Sequence, residues 1–217
     1  MRLVPLLFLS LDNTLLDRAG AFTAWGKGFL AQVGAPDYDI DWLTSVDADG
    51  MNSAWDLADG LRDRYGLRIS SLDLVDEIRN GILSHLRLDP MIAFALRIAE
   101  NAGWVPVVVT NGDSREQEEK LRKTGLDQYV ADWVISEEVG VRKPNPRIFQ
   151  IAGERVRMGP RGAWLIGDSP EVDIGGADGI GIPSVWIHRG RQWTDHRFRP
   201  TLIADGAIDA LAQIMAG

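Results

Sequence analysis

The chain has 217 residues, 45% of them apolar and 25% charged, which suffices for one large domain or for a core with a smaller second domain. Its formal net charge of −8 gives a polyanion such as nucleic acid no general attraction. The absence of cysteine excludes disulfides, thiolate metal sites and cysteine nucleophiles and is in keeping with a cytoplasmic setting, and no stretch approaches the roughly 20 apolar residues of a membrane span.

The first element is the apolar run Leu3–Leu9, read as a buried strand. It is too short for a signal peptide, is interrupted by Pro5, and has no small-residue cleavage site at the right distance. Residues 17–87 then break the pattern of the rest of the chain. They contain no convincing strand and read as amphipathic helices over Ala19–Val33, Asp39–Ser45, Ser53–Tyr65 and Leu72–Leu86, punctuated by Gly66 and Ser70-Ser71. A helical insert directly after a first strand is expected to be a lid over the strand ends, leaving 1–16 and 88–217 as the core. Within the insert, Ser45–Gly50 lacks the third acidic position and the distal glutamate of a calcium loop. Its aromatic residues Phe22, Trp25, Phe29, Trp42 and Trp55 fall at helical spacing, the pattern of packing more than of ligand contact.

After a helix over Pro90–Ala102, short apolar runs alternate with helical patterns. The strands expected are Val105–Thr110, Trp133–Ser136, Ala163–Gly167 and Ser184–Ile187. Their continuous apolarity implies burial on both faces, as in a parallel sheet. Helices are expected at Ser114–Thr124, which Gly125 stops, and at Pro146–Gly153 and Ile208–Ala216. The alternation predicts an α/β fold, a doubly wound parallel sheet whose ligands sit at the carboxyl ends of the strands.

Four signals fall at such ends: Ser10-Leu11-Asp12-Asn13-Thr14, Thr110-Asn111-Gly112, Lys143 before a Pro144-Asn145-Pro146 turn, and Gly167-Asp168-Ser169-Pro170-Glu171-Val172-Asp173. Each alone has a structural explanation as a helix cap or a solvated charge. Together, in this order, they match what phosphoryl transfer needs. Thr110, the Asn111 amide and the Lys143 ammonium can donate to phosphoryl oxygens. Asp168 and Asp173 offer the carboxylate oxygens that Mg²⁺ prefers. Asp12, two residues beyond position 10 on an extended segment, is placed to move a proton.

On these motifs the chain resembles the haloacid dehalogenase superfamily, in its phosphatase branch with a helical cap after the first motif. The resemblance implies a Rossmann-like core, Mg²⁺ as cofactor and a small phosphorylated metabolite as substrate. It implies that Asp12 is the acid/base and binds Mg²⁺ through its backbone carbonyl. Asp168 would then be a direct metal ligand and Asp173 a supporting one. It also implies an aspartate nucleophile at position 10, where this chain has Ser10. A serine hydroxyl must lose a proton to attack, the sequence shows no histidine or lysine base beside it, and serine brings no charge to hold Mg²⁺. Loss of such a nucleophile costs several powers of ten in rate. Ser10 admits three accounts: an engineered change that traps substrate, a natural replacement in a chain that binds without turnover, or altered chemistry through Ser10 or a water. A hydrolytic dehalogenase is disfavoured by the retained acidic pair. Arg189, Arg191, Arg197 and Arg199 near the C-terminus are read as a solvated loop, with an oligomer contact or a role at the substrate's edge as the other readings, and the oligomeric state is not legible.

Overall fold

A computed structural model describes residues 5–216. Six parallel strands form one sheet in the order β3-β2-β1-β4-β5-β6. β1 (Leu6–Leu9) is fully buried, and the chain then passes through four helices: α1 (Arg18–Gln32), α2 (Asp39–Asp47), α3 (Ala54–Tyr65) and α4 (Ser71–His85). It continues through α5 (Pro90–Asn101), β2 (Val105–Thr110), α6 (Ser114–Thr124), β3 (Asp132–Ile135), α7 (Ser136–Val139) and α8 (Pro146–Arg155). β4 (Trp164–Gly167), α9 (Gly175–Gly179), β5 (Ser184–Ile187), β6 (Leu202–Ala204) and α10 (Ala207–Ala216) complete it. The expected α/β doubly wound sheet is therefore present. Leu3 and Val4 of the first expected strand lie outside the described residues.

The chain divides into two compact units, Met1–Leu16 with Leu88–Gly217 and Asp17–Arg87. In the sheet unit, β1 pairs with β2 on one side (Leu9 opposite Val108) and with β4 on the other (Leu9 opposite Ile166). The strand order reverses between β1 and β4, and in doubly wound sheets the carboxyl ends at such a switch point are where ligands bind. Leu6, Phe8, Val107, Val109, Val134 and Leu165 are buried on one side of the sheet with Ile148, Phe149 and Ala152 of α8. Phe8 meets Phe149 edge-on at 5.7 Å between ring centroids. This covering explains why the strands read as unbroken apolar runs. β6 was not anticipated: it is a three-residue edge strand bonded only to β5.

The helical unit has its own core of Phe22, Trp25, Phe29, Leu30, Leu43, Leu61, Leu74 and Ile78. Ser53 and Ser70 cap α3 and α4 by accepting from the backbone N–H of Asp56 and Asp73. Trp25 packs at 5.5 Å from Phe22 and 5.3 Å from Phe29, so these three are packing, as expected, whereas Trp55 is exposed. Arg18 donates to both carboxylate oxygens of buried Asp47 at 2.7 and 2.6 Å, which ties the start of α1 to the end of α2. Among the described residues no helix is long and apolar enough to cross a membrane.

Candidate active site

Ser10 follows the last residue of β1, and its N–H continues the ladder by donating to Ile166 O at 3.0 Å. The next residues fold back on themselves: Leu15 and Leu16 donate to Leu11 O, Asn13 donates to Leu16 O, and Asn13 takes the left-handed conformation with φ 58°. Asparagine accepts that conformation more readily than most residues. The tight turn holds Asp12 beside α6.

Lys143 is the centre of the arrangement. Its Nζ lies 3.1 Å from Ser10 Oγ and 2.8 Å from Asp173 Oδ1, and all three residues are buried. Lys143 and Ser10 lie 133 apart in sequence, and the lysine meets the serine as a donor. Asp173 Oδ2 accepts from the Ser169 N–H at 3.0 Å. Gly167 makes this possible, because a Cβ there would sit 2.4 Å from Asp173 Cγ. Asn111, expected as a phosphate donor, uses its side chain otherwise. Its Nδ2 donates to Lys143 O at 3.0 Å and its Oδ1 accepts from Lys143 N at 2.8 Å. The Asn111 side chain therefore positions Lys143.

Buried Thr110 donates from Oγ1 to Gln117 Oε1 at 3.0 Å, and Gln117 Nε2 approaches Asp12 Oδ2 at 3.4 Å. Asp12 Oδ2 is held more closely by Lys120 Nζ at 2.7 Å, and Lys120 also pairs with Glu116 at 2.8 Å. Sequence reasoning missed Gln117, Lys120 and Glu116. The available signal was the i,i+4 Glu116–Lys120 pair, one turn into the helix that follows Thr110.

Asp168 is likewise engaged by residues that sequence reasoning left in a solvated loop. Its Oδ2 accepts from Arg189 Nη1 at 3.1 Å and Arg191 Nη2 at 3.3 Å, and its carbonyl accepts from Arg191 Nη2 at 2.6 Å and Trp186 Nε1 at 2.9 Å. Burial, reinforced by the nearby charge of Asp173, pushes the Asp168 carboxyl up to about 6 although the two guanidinium groups pull it down.

The structure thus brings Ser10, Lys143 and Asp173 together with Asn111 bonded to the Lys143 backbone, while Thr110 and Asp12 are joined to each other through Gln117, and Asp12 to Lys120. Of the metal donors expected from sequence, Asp168 and Asp173 lie close enough for the charge of Asp173 to act on the Asp168 carboxyl. Among the described residues no three His, Asp or Glu side chains converge. Ser10 supplies no charge, both Asp173 oxygens are engaged, and Asp168 Oδ2 is shared by two guanidinium groups. A hard divalent cation wants carboxylate oxygens turned towards it, and these donors do not fit one.

Comparison with known proteins gives a consistent result. The phosphoserine phosphatase of Thermus thermophilus is 36% identical over 104 residues, which are 48% of this chain and 42% of that protein. The glyceraldehyde 3-phosphate phosphatase of Pyrococcus furiosus is 27% identical over an alignment covering 99% of this chain and 93% of that one. Among solved structures, the HAD-hydrolase YfnB of Bacillus subtilis, bound to magnesium, superposes with a TM-score of 0.79 at 21% identity over 98% of this chain and 97% of that one, a likeness of fold. A haloacid dehalogenase-like hydrolase model matches residues 11–181. With most of its length matched, and with parallel strands that carry the motifs at their carboxyl ends, the chain belongs to the haloacid dehalogenase-like hydrolase family.

Proposed function

We propose that the sheet unit binds a small phosphate monoester at the carboxyl ends of β1, β2 and β4, and that its hydrolysis is strongly impaired by Ser10. The observation that carries this reading is the Lys143 ammonium, 3.1 Å from Ser10 Oγ while paired with Asp173 at 2.8 Å. An ammonium held by a carboxylate is a donor, so Lys143 gives Ser10 a hydrogen bond and does not take its proton. Asp12, the other group that might serve as base, already accepts from Lys120. The serine is therefore not activated for attack. Binding is better provided for: Lys143 has a third proton for a phosphoryl oxygen, and the Thr110 hydroxyl can turn from Gln117 to the ligand.

Both curated relatives are named as phosphatases of small phosphorylated compounds, which supports the ligand class. A carboxylate at position 10 would restore both the nucleophile and a metal donor, and Mg²⁺ is the cofactor expected of that restored form. A second reading, a catalytically silent carrier or sensor of a phosphorylated metabolite, uses the same site and is favoured by the unactivated serine. The test is phosphate release from a panel of phosphomonoesters, and halide release from a 2-haloacid, by the Ser10 chain and by Ser10→Asp. Phosphate release that rises by about three powers of ten in the aspartate form supports the impaired hydrolase. Ligand binding without turnover in either form gives the silent binder. Halide release, or no phosphorylated ligand bound by either form, rejects the proposal.

A further inference from the structure

We propose that Arg189 and Arg191 take the place at Asp168 that a divalent cation would hold, so that the site binds a phosphoryl group through fixed organic charge and without metal. This inference rests on the reading of the strand ends as a phosphoryl site, and it goes further in naming what balances the charge there.

The two arginines are delivered by a built element. His188 leaves β5, and Arg189 and Gly190 both take left-handed conformations (φ 49° and 75°). The turn closes with Arg191 N donating to His188 O at 2.8 Å. Consecutive positive φ values at the two central residues are the geometry of a type I′ turn, which a non-glycine residue adopts at some cost in backbone strain. The turn is anchored on both sides of the His188 ring: Nδ1 accepts from Gly190 N at 2.9 Å and Nε2 lies 2.7 Å from Asp205. Nδ1 is therefore unprotonated and Nε2–H faces the carboxylate. Arg191 is fixed again by its Nε donating to His188 O at 3.1 Å and by its guanidinium lying 5.7 Å from the Trp186 ring centre. Trp186, fully buried, is bonded to the Asp168 carbonyl. The strained turn thus carries both guanidinium groups back to Asp168, and they do not trail into solvent.

Charge points the same way. The contacts described join four carboxylates, Asp12, Glu116, Asp168 and Asp173, to four cations, Lys120, Lys143, Arg189 and Arg191. Ser10 adds no negative charge to these contacts. A carboxylate at position 10 would add one negative charge, the condition that favours a metal ion. A phosphoryl group entering this set meets guanidinium and ammonium donors, whose geometry suits its oxygens.

The test is calorimetric titration of the full chain with inorganic phosphate, first in EDTA and then with added Mg²⁺, and with Mg²⁺ alone. Phosphate affinity the same within about twofold in the two conditions, with no heat from Mg²⁺ alone, is expected. In Arg189→Gln/Arg191→Gln, metal-free phosphate binding should weaken by about tenfold or more and become responsive to Mg²⁺. Arg191→Lys keeps charge without the planar fork and should fall between the two. Phosphate binding by the Ser10 chain only when Mg²⁺ is present, or Mg²⁺ binding by that chain without phosphate, overturns the inference and leaves the phosphoryl-site reading intact. No phosphate binding in either condition overturns both.

Discussion

Replacing Lys143 by Met removes the ammonium and keeps an unbranched stem of similar length. The side chains of Lys143 and Asp173 are only 4% and 2% exposed, and their pairing distance is 2.8 Å. Taking one partner out of a buried pair strands the other charge, at a cost of about 3–5 kcal/mol. Asp173 would keep one donor, the Ser169 N–H at 3.0 Å, which places the expected loss at the lower end, about 3 kcal/mol. Adding Asp173→Asn removes the stranded charge and should recover most of that loss, so the two changes are strongly non-additive. Urea unfolding followed by far-ultraviolet circular dichroism at neutral pH reads both variants. A loss below about 1 kcal/mol in Lys143→Met, the range of an exposed pair, would refute the argument. So would a double variant no more stable than the single one.

In the helical unit, Arg18→Met should cost about 3 kcal/mol by leaving buried Asp47 with the Gly50 N–H as its remaining described donor; Asp47→Asn in that background should restore stability, and equal urea midpoints for all three chains would contradict this. Gly81→Ala puts a Cβ 2.0 Å from Trp25 Cδ1 and should destabilise that unit by about 1–3 kcal/mol through overpacking; an unchanged midpoint would show that Trp25 can move aside. Asp168, raised to about 6 from 3.8, gives a pH prediction. Between those values the folded state keeps a proton that the unfolded chain has released, so the carboxyl detracts from stability as pH rises through the window. Relative to Asp168→Asn, the unsubstituted chain should therefore lose roughly 2 kcal/mol between about pH 4 and pH 7. Urea midpoints that diverge in the opposite direction would remove burial as the dominant cause.

Five strands were legible because each is a short apolar run covered on both faces, and the Gly125 stop marked the end of α6 to the residue. β6 was not, because three residues following Pro200 and Thr201 show neither a run nor alternation; the strand exists only because β5 offers it an edge. In the site, spacing within motifs pointed to Ser10, Asp12, Thr110, Lys143, Asp168 and Asp173. What spacing could not give was the partner of each. Lys120 reads as one more charge on a polar helix, yet it is buried against Asp12, since sequence does not say which face of α6 turns inward. The His188–Arg191 segment has no periodicity at all, and its meaning depends on a turn conformation that Gly190 alone only hints at.

The Lys143–Asp173 contact also bears on how such a chain would change over generations. Each of the two residues is the counter-ion of the other in a dry interior, so selection for a folded protein preserves both whether or not any substrate is turned over. The presence of Lys143 and Asp173 in a chain is then not by itself evidence of a working enzyme. The diagnostic position is the one without a folding role to protect it: a serine at residue 10 strands no buried charge, so the loss of chemistry there goes unpunished by the fold.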